Sequence, residues 1–405
     1  MERLAIDGGR PVRDGPWKVG FPIGQEEKDE VIKVLDDGWI SRFRGGERVR
    51  QFERNFADYC GVSYGIATTS GTTALHTAIS ALGIGPGEEV IVPALTFVST
   101  ASIVLQQNAV PIFADIKRET FCMSPEDLER KITERTKAVI PVHLFGHPAD
   151  MGKILEIAKR NNLYVIEDAA QAHGASINGK KVGSFGNFGC FSFFQTKNMT
   201  CGEGGMVLTD DNKLYREARL SREHGSPESD KGWYFYDRLG FNYNMTEIQA
   251  AIGLVQLKKL DRMNEKRKEN AQVYTERLRD LGLEFMVNQL GYHNVWHNFP
   301  IILPERLKGK RDRFVQAVSA EGVPIDVCYP VPVYKTKMFL DKGVLRRFCP
   351  GLYSIYGETF SYKNSDCPVA EEVSERIVNL FTDSELSQEL RDQICASIKK
   401  VASHC

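Results

Sequence analysis

The chain has 405 residues, is 42% hydrophobic and 26% charged, and carries a formal net charge of −1; this is the composition of an ordinary globular protein. A near-neutral balance gives no electrostatic case for nucleic acid or an anionic membrane surface, and no apolar run approaches the roughly 18 residues of a membrane helix. Nine cysteines, at 60, 122, 190, 201, 328, 349, 367, 395 and 405, are scattered without a CxxC pair, which argues against a zinc ribbon or a redox pair, and no metal ligands are expected. Their odd number, with no signal-like leader, points to a reducing cytoplasm.

In chain order, residues 1–24 are rich in Gly and Pro and read as an irregular N-terminal arm. Val31, Ile32, Val34 and Leu35 place a helix over 26–37. After a hinge at Gly45 and Gly46, Val49, Phe52, Phe56 and Tyr59 define an amphipathic helix over 47–59. From Ser63 strands and helices alternate. Strands are expected over 64–67, 89–92, 110–115, 137–142 and 163–167, and helices over 70–82, 97–106, 125–132 and 150–161. Such alternation predicts an α/β fold, a parallel sheet with helices on both faces, whose ligands bind at the C-terminal strand ends. The apolar run 188–194 reads as a further buried strand. A helix over 213–222, a polar and aromatic loop over 223–243 and one or two charged helices over 246–281 follow. From about Asn294 the composition shifts. Segments 295–303 and 323–329, with helices near 311–320 and 385–401, describe a smaller α+β unit. The expected division is an arm (1–24), a large domain (25–260), and a linking helix with a small C-terminal domain (261–405).

Four segments carry candidate chemistry. Lys197 lies between the apolar run and the flexible Gly202-Glu203-Gly204-Gly205. A lysine where a buried strand opens into a loop is partly desolvated, which lowers its pKa and makes it a usable nucleophile. Ser70-Gly71-Thr72-Thr73 opens a helix, where free N–H groups and hydroxyls suit a phosphate. Asp168 ends the apolar strand Val165-Ile166-Glu167 and needs a cationic partner if buried; Gln171 and His173 follow it. Ser192 precedes Lys197, and Asn242 lies in Gly240-Phe241-Asn242-Tyr243-Asn244-Met245-Thr246-Glu247, ahead of the long helix. Each has a plainer reading in isolation: a surface lysine, a helix cap, satisfied loop polars, a turn.

Together GTTALHTAISALGIGPGEEVIVPALTFVSTA, IEDAAQAHGA, FSFFQTKNMTCGEGG and NYNMTEIQAAIGLVQL resemble, in order and spacing, the DegT/DnrJ/EryC1/StrS family of pyridoxal-phosphate sugar aminotransferases. The resemblance covers nearly the whole chain. It implies the type I aminotransferase fold, with a large domain built on a mixed, mostly parallel sheet sandwiched by helices and a smaller C-terminal α+β domain. It implies pyridoxal 5′-phosphate in Schiff-base linkage to Lys197, with Asp168 at the pyridinium nitrogen and Gln171 beside the cofactor O3′. Phe97 matches the aromatic near the ring. Gly71, Thr72 and Ser192 match phosphate contacts. Asn242 matches one supplied by the neighbouring subunit of a homodimer. His173 is a candidate secondary active-site group. The implied reaction moves an amino group from L-glutamate, or L-glutamine, to a nucleotide-linked keto-sugar, with ping-pong kinetics. The opening Leu4 to Val12 resembles the subgroup acting on keto-cyclitols or making aminohydroxybenzoate, which is the alternative acceptor. Relatives that dehydrate sugars carry histidine in place of the lysine, so Lys197 favours transamination. A regulatory, non-catalytic role lacks any helix-turn-helix or basic patch to support it. One departure stands out: the family commonly has Asn-Tyr-Arg-Met where this chain has Asn244 for the arginine, which removes a bidentate anion ligand. Arg222, Arg238 and Arg42 are candidates to compensate.

Overall fold

The alternating segments fold into one seven-stranded sheet. Its strands are β1 (Tyr64–Thr68), β2 (Glu89–Pro93), β3 (Val110–Ala114), β4 (Thr136–Val139), β5 (Tyr164–Asp168), β8 (Phe188–Ser192) and β9 (Gly205–Thr209). β6 (Ser176–Ile177) and β7 (Lys180–Lys181) form a hairpin outside it. The strand order is β1-β9-β8-β5-β4-β2-β3. Neighbours from β8 to β3 pair in parallel, while β9 runs antiparallel to both β1 and β8. This computed structural model describes residues 2–17, 19–20, 22–41, 46–227 and 234–404. The expected hinge residue Gly45 and the candidate cation Arg42 lie outside the described residues.

Helices α1 (Gln25–Asp37) and α2 (Arg48–Cys60) precede the sheet, α3 (Gly71–Ala81), α4 (Ser99–Gln106), α5 (Pro125–Lys131) and α6 (Met151–Arg160) connect its strands, and α7 (Asn212–Arg222) follows β9. Their starts are written in the sequence. Ser70, Ser124, Asp150 and Asp211 each accept a hydrogen bond from a backbone N–H in the first turn, which satisfies donors a helix leaves open. The central strands bury both faces, so they read as continuous apolar runs rather than alternating ones.

The single helix α8 (Glu247–Leu278) replaces the one or two helices expected over 246–281. It is not a simple surface helix, because it buries polar side chains that tie distant segments together. Asn264 accepts from Asn198 Nδ2 at 2.9 Å and donates to the His173 carbonyl at 2.8 Å. Arg267 donates to the His297 carbonyl at 3.2 Å, and Asn270 to the carbonyls of Thr382 and Asp383 at 2.9 Å.

A second, antiparallel sheet in the order β10-β12-β13 joins β10 (Glu284–Phe285), β12 (Phe299–Ile302) and β13 (Ile377–Leu380), while β11 (Tyr292–His293) pairs with β6. Helix α9 (Arg311–Ala320) packs beside this sheet, and α14 (Gln388–Ala402) packs against α9 and α8. Segment 323–329 forms no strand; it meets β13 only at the bridge between Asp326 and Asn379. The intervening helices α10 (Lys337–Leu340), α11 (Lys342–Phe348), α12 (Gly351–Tyr356) and α13 (Pro368–Arg376) were not expected from the sequence. β4 ends at Val139 rather than residue 142, because Pro141 has no N–H to give to a ladder.

Close backbone packing places β8. A Cβ on Gly189 would lie 2.1 Å from the Gly183 carbonyl oxygen, so the loop before β8 crosses directly over that strand. Gly189→Ala is expected to destabilise the protein by about 3 kcal/mol or more, read as a lower urea midpoint; an unchanged midpoint would show that the loop yields freely.

Candidate active site

The C-terminal ends of β1, β2, β5 and β8 converge on one cavity of about 790 Å³, within the usual range for small-molecule sites. Each end delivers a different chemical type. β5 delivers Asp168, β1 leads into the N-terminus of α3, β2 leads to Thr96 and Phe97, and β8 delivers Ser192 and then Lys197. Lys197, Asp168, Gly71, Thr72, Phe97, Gln171 and Ser192 therefore all line one space.

Asp168 is buried. Its Oδ2 accepts from the Thr100 hydroxyl at 2.8 Å and its Oδ1 from the Ala170 N–H at 3.2 Å. Burial pushes its carboxyl above the ordinary range, while Thr100, the Ala170 N–H and the charge of Lys197 pull it back. Lys197 responds in the opposite sense: desolvation lowers its amine from 10.5 to about 8, opposed by the charge of Asp168. Carboxylate and amine thus sit near enough to feel one another, in a setting that costs both of them charge.

At the other end, the Ser70 hydroxyl is spent as the cap of α3, accepting from the Thr73 N–H at 3.2 Å. Gly71 and Thr72 remain to face the cavity. A Cβ on Gly71 would stand 2.6 Å from the Ser192 Cβ, so glycine is what lets the helix start close against β8. Thr72 shares a hydrogen bond with Ser99 at 2.7 Å. Phe97 is 60% exposed, an unusual state for a phenylalanine beside a deep cavity and one that suits a ring platform.

Two expected residues lie elsewhere. His173 is fully buried against Phe56, Phe191 and Phe193 and does not line the cavity; burial there lowers its imidazole to about 3. The turn after β5 directs it into the apolar layer behind the site. Asn242 is exposed and outside the cavity of its own chain, with its side-chain oxygen accepting from the Asn244 side chain at 3.1 Å.

A model described as the DegT/DnrJ/EryC1/StrS aminotransferase family matches residues 22–399. The chain belongs to this family. It is 40% identical over 380 residues, 94% of each chain, to a UDP-N-acetyl-3-dehydro-alpha-D-glucosamine 3-aminotransferase of Acidithiobacillus ferrooxidans. It is 35% identical over 420 residues, 99% of this chain and 97% of the relative, to an L-glutamine:2-deoxy-scyllo-inosose aminotransferase of Streptomyces kanamyceticus. The crystal structure of a 3-amino-5-hydroxybenzoic acid synthase matches with a TM-score of 0.87 at 28% identity, covering 97% of this chain and all (100%) of that one. The fold is accordingly the type I aminotransferase fold, and the protein is an enzyme of the transaminase class.

The arginine question in this aminotransferase resolves in part. Arg222 is buried and bonded to Glu53 at 3.2 Å and the Ala67 carbonyl at 3.1 Å. Arg238 is held by Glu217 and by the Ser80 carbonyl. Neither lines the cavity of its own chain.

Sequence reasoning missed several lining residues. Tyr329 accepts from Gln171 Nε2 at 2.7 Å, while Gln171 Oε1 is taken by the Phe145 N–H at 2.7 Å. Thr100 and Thr96 share a hydrogen bond at 2.9 Å beneath Asp168. Their spacing of four, just past a strand end, was a usable signal. Tyr329, His297, Asp326 and Trp17 arrive from segments with no periodic pattern, and nothing local marks them.

The lowered amine is directly measurable. In competitive acetylation of the apo-protein, followed by mass spectrometry, Lys197 should react with a midpoint near pH 8, because its neutral form appears above that value. Surface lysines should still be gaining reactivity toward pH 10 or so. Asp168→Asn should move the Lys197 midpoint lower, since the carboxylate raises it; a midpoint near that of surface lysines would contradict the buried setting.

Proposed function

We propose that this enzyme transfers an amino group from L-glutamate, or L-glutamine, to a keto-sugar, most simply a nucleotide-linked one, using pyridoxal phosphate in a cytoplasmic homodimer. The observation that carries the reading is the meeting of Lys197 and Asp168 in one desolvated cavity. The residues present fit the cofactor. An amine with a lowered pKa, a buried carboxylate, an exposed aromatic face and a glycine-opened helix N-terminus beside Ser192 are the four contacts an aldehyde, a ring nitrogen, a ring face and a phosphate need.

Bound there, pyridoxal phosphate supplies an aldehyde for amines to enter and a ring that takes up the electron pair left by a departing Cα proton. Lys197 Nζ holds the aldehyde between turnovers and, once displaced by the donor, accepts the donor's Cα proton. Asp168 keeps the proton on the ring nitrogen, and Thr100 with Ala170 fixes the carboxylate that does so. Gln171 positions Tyr329 along the same wall. Gly71, Thr72 and Ser192 take the phosphate. Asn242, exposed at the surface, is available to a neighbouring subunit.

A second acceptor reading, a keto-cyclitol, is supported by the relative from Streptomyces kanamyceticus, whose alignment extends over 99% of the chain and so reaches the N-terminal arm. Mass-spectrometric screening of keto-sugars and keto-cyclitols with glutamate or glutamine decides between the two.

Lys197→Ala should lower turnover by at least about 10³-fold, with the cofactor released on denaturing filtration without borohydride-resistant attachment. Full activity would remove Lys197 from the chemistry. Asp168→Asn should fold normally and slow Cα-proton exchange of glutamate by about 10²-fold or more; an unchanged exchange rate would strip Asp168 of its role.

A further inference from the structure

The N-terminal arm reaches the cavity. Trp17, Val19 and Gly20 line it together with Pro324, Asp326, Cys328 and Asn298. The arm gets there because one buried carboxylate holds it. Glu321, fully buried at the end of α9, accepts from the Ala5 N–H at 2.8 Å, the Val12 N–H at 3.0 Å and Lys400 Nζ at 2.8 Å. Its own carbonyl accepts from the Arg13 N–H at 3.0 Å. The approach is close enough that a Cβ on Gly322 would lie 2.1 Å from the Arg13 carbonyl oxygen. Arg13 then sets its guanidinium 5.8 Å from the Trp17 ring centre and donates to the Pro16 carbonyl at 2.8 Å. The chain leaving Glu321 on the other side runs three to five residues to Pro324 and Asp326. One anchor therefore fixes both the aromatic and the carboxylate of the same wall.

Resting on the function proposed above, we propose that this wall is the acceptor subsite, with Trp17 as a stacking platform for the carbon face of a polyhydroxylated keto-ring and Asp326 as the acceptor of its hydroxyl hydrogens. The chemistry of the wall fits such a ring. A sugar or cyclitol presents C–H groups on its faces and hydroxyls at its rim, which match an indole face beside a carboxylate and an amide. Asp326 is exposed within the cavity, and among the described residues its oxygens are engaged by its own neighbours, the Val327 N–H and the Cys328 thiol. The chemical groups assigned to the cofactor, Lys197, Asp168, Gly71, Thr72 and Ser192, all come from the central-sheet segments, so the arm and the 324–329 segment are left for the substrate. Trp17 and Asp326 are specificity-determining residues on this account.

The test separates the two sides of the reaction. Holoenzyme converted to its amine form with L-glutamate is mixed in a stopped-flow instrument with 2-oxoglutarate, which has no ring. It is mixed separately with UDP-linked 3-keto-N-acetylglucosamine and with scyllo-inosose, which do. Trp17→Ala should lower the second-order rate constant about 20-fold for whichever ring ketone the native enzyme accepts, with the 2-oxoglutarate rate held within about twofold. Trp17→Phe should recover most of the loss, and Asp326→Asn should raise KM for the ring ketone more than it lowers kcat. Quenching of tryptophan emission in the apo-protein by the same ketone should vanish in Trp17→Phe, a readout that needs no turnover. Equal losses with both kinds of ketone, or no loss with the ring ketone, overturn the subsite. A native enzyme that forms the amine with glutamate yet aminates neither ring ketone overturns the keto-ring reading itself and the subsite with it, a result visible before any variant is made.

Discussion

The site depends on the cost of keeping charge out of water. Asp168 and Lys197 lie in a cavity that penalises both ionised forms, and each offsets part of the other's penalty. The balance is not symmetric. Asp168 also receives the Thr100 hydroxyl and the Ala170 N–H, donors that favour a carboxylate. Lys197 has the charge of Asp168 on its side, and desolvation prevails. Burial thus pushes the carboxyl above its ordinary range and the amine down to about 8, and an amine that gives up its proton readily is what imine chemistry requires.

That balance needs β5 to be immobile, and the residue before Asp168 supplies the means. Successive side chains on a strand point to opposite faces. Asp168 faces the cavity, and Glu167 faces the layer behind it. There the fully buried Glu167 carboxylate accepts from the Gly183, Phe185 and Gly186 N–H groups and from His143 Nε2 at 2.9 Å. His143 Nδ1 accepts from the Ala149 N–H at 3.0 Å, so its proton sits on Nε2 and is donated to Glu167. Four donors on one buried carboxylate staple β5 to the loop that precedes β8, the strand leading to Lys197. One strand end thus carries two acids with different tasks, one reactive and one structural, told apart by which side of the sheet each faces.

Much of this was legible in the sequence where local physics is strong. The strand and helix alternation from Ser63 onward, the caps at Ser70 and Asp150, and the buried position of Asp168 follow from periodicity and chemistry that act within a few residues. The reversed strand β9 was not, because the run 205–209 reads equally as any buried strand and its direction is set by the hairpin that carries Lys197. Glu167 was passed over for its neighbour, since a carboxylate satisfied by backbone N–H groups 16 to 19 residues away has no local signature. His173, a candidate secondary active-site group from the matching segment, is sent among phenylalanines by the backbone turn after β5, a placement that its sequence neighbours do not signal. Tyr329 holds a left-handed backbone, φ 60°, a conformation costly for a tyrosine and set only by tertiary packing.

The two walls of the cavity are built differently, and the difference has consequences for what can vary. The inner wall is made of strand ends and a helix N-terminus, whose positions are fixed by a close-packed sheet in which even a Cβ on Gly189 or Gly71 finds no room. The outer wall is made of irregular segments at residues 17, 19–20, 297–298 and 324–329, tied down at a few polar anchors such as Glu321 and the α8 residues Arg267 and Asn270. Side chains on the inner wall cannot change without moving the sheet. Those on the outer wall can, so long as the anchors remain, because a loop tolerates substitutions that a packed core does not. A fixed reaction with an adjustable acceptor is the expected result of joining two such walls, and the position of the anchor at Glu321, remote in sequence from every reactive group, is what allows the one to change without disturbing the other.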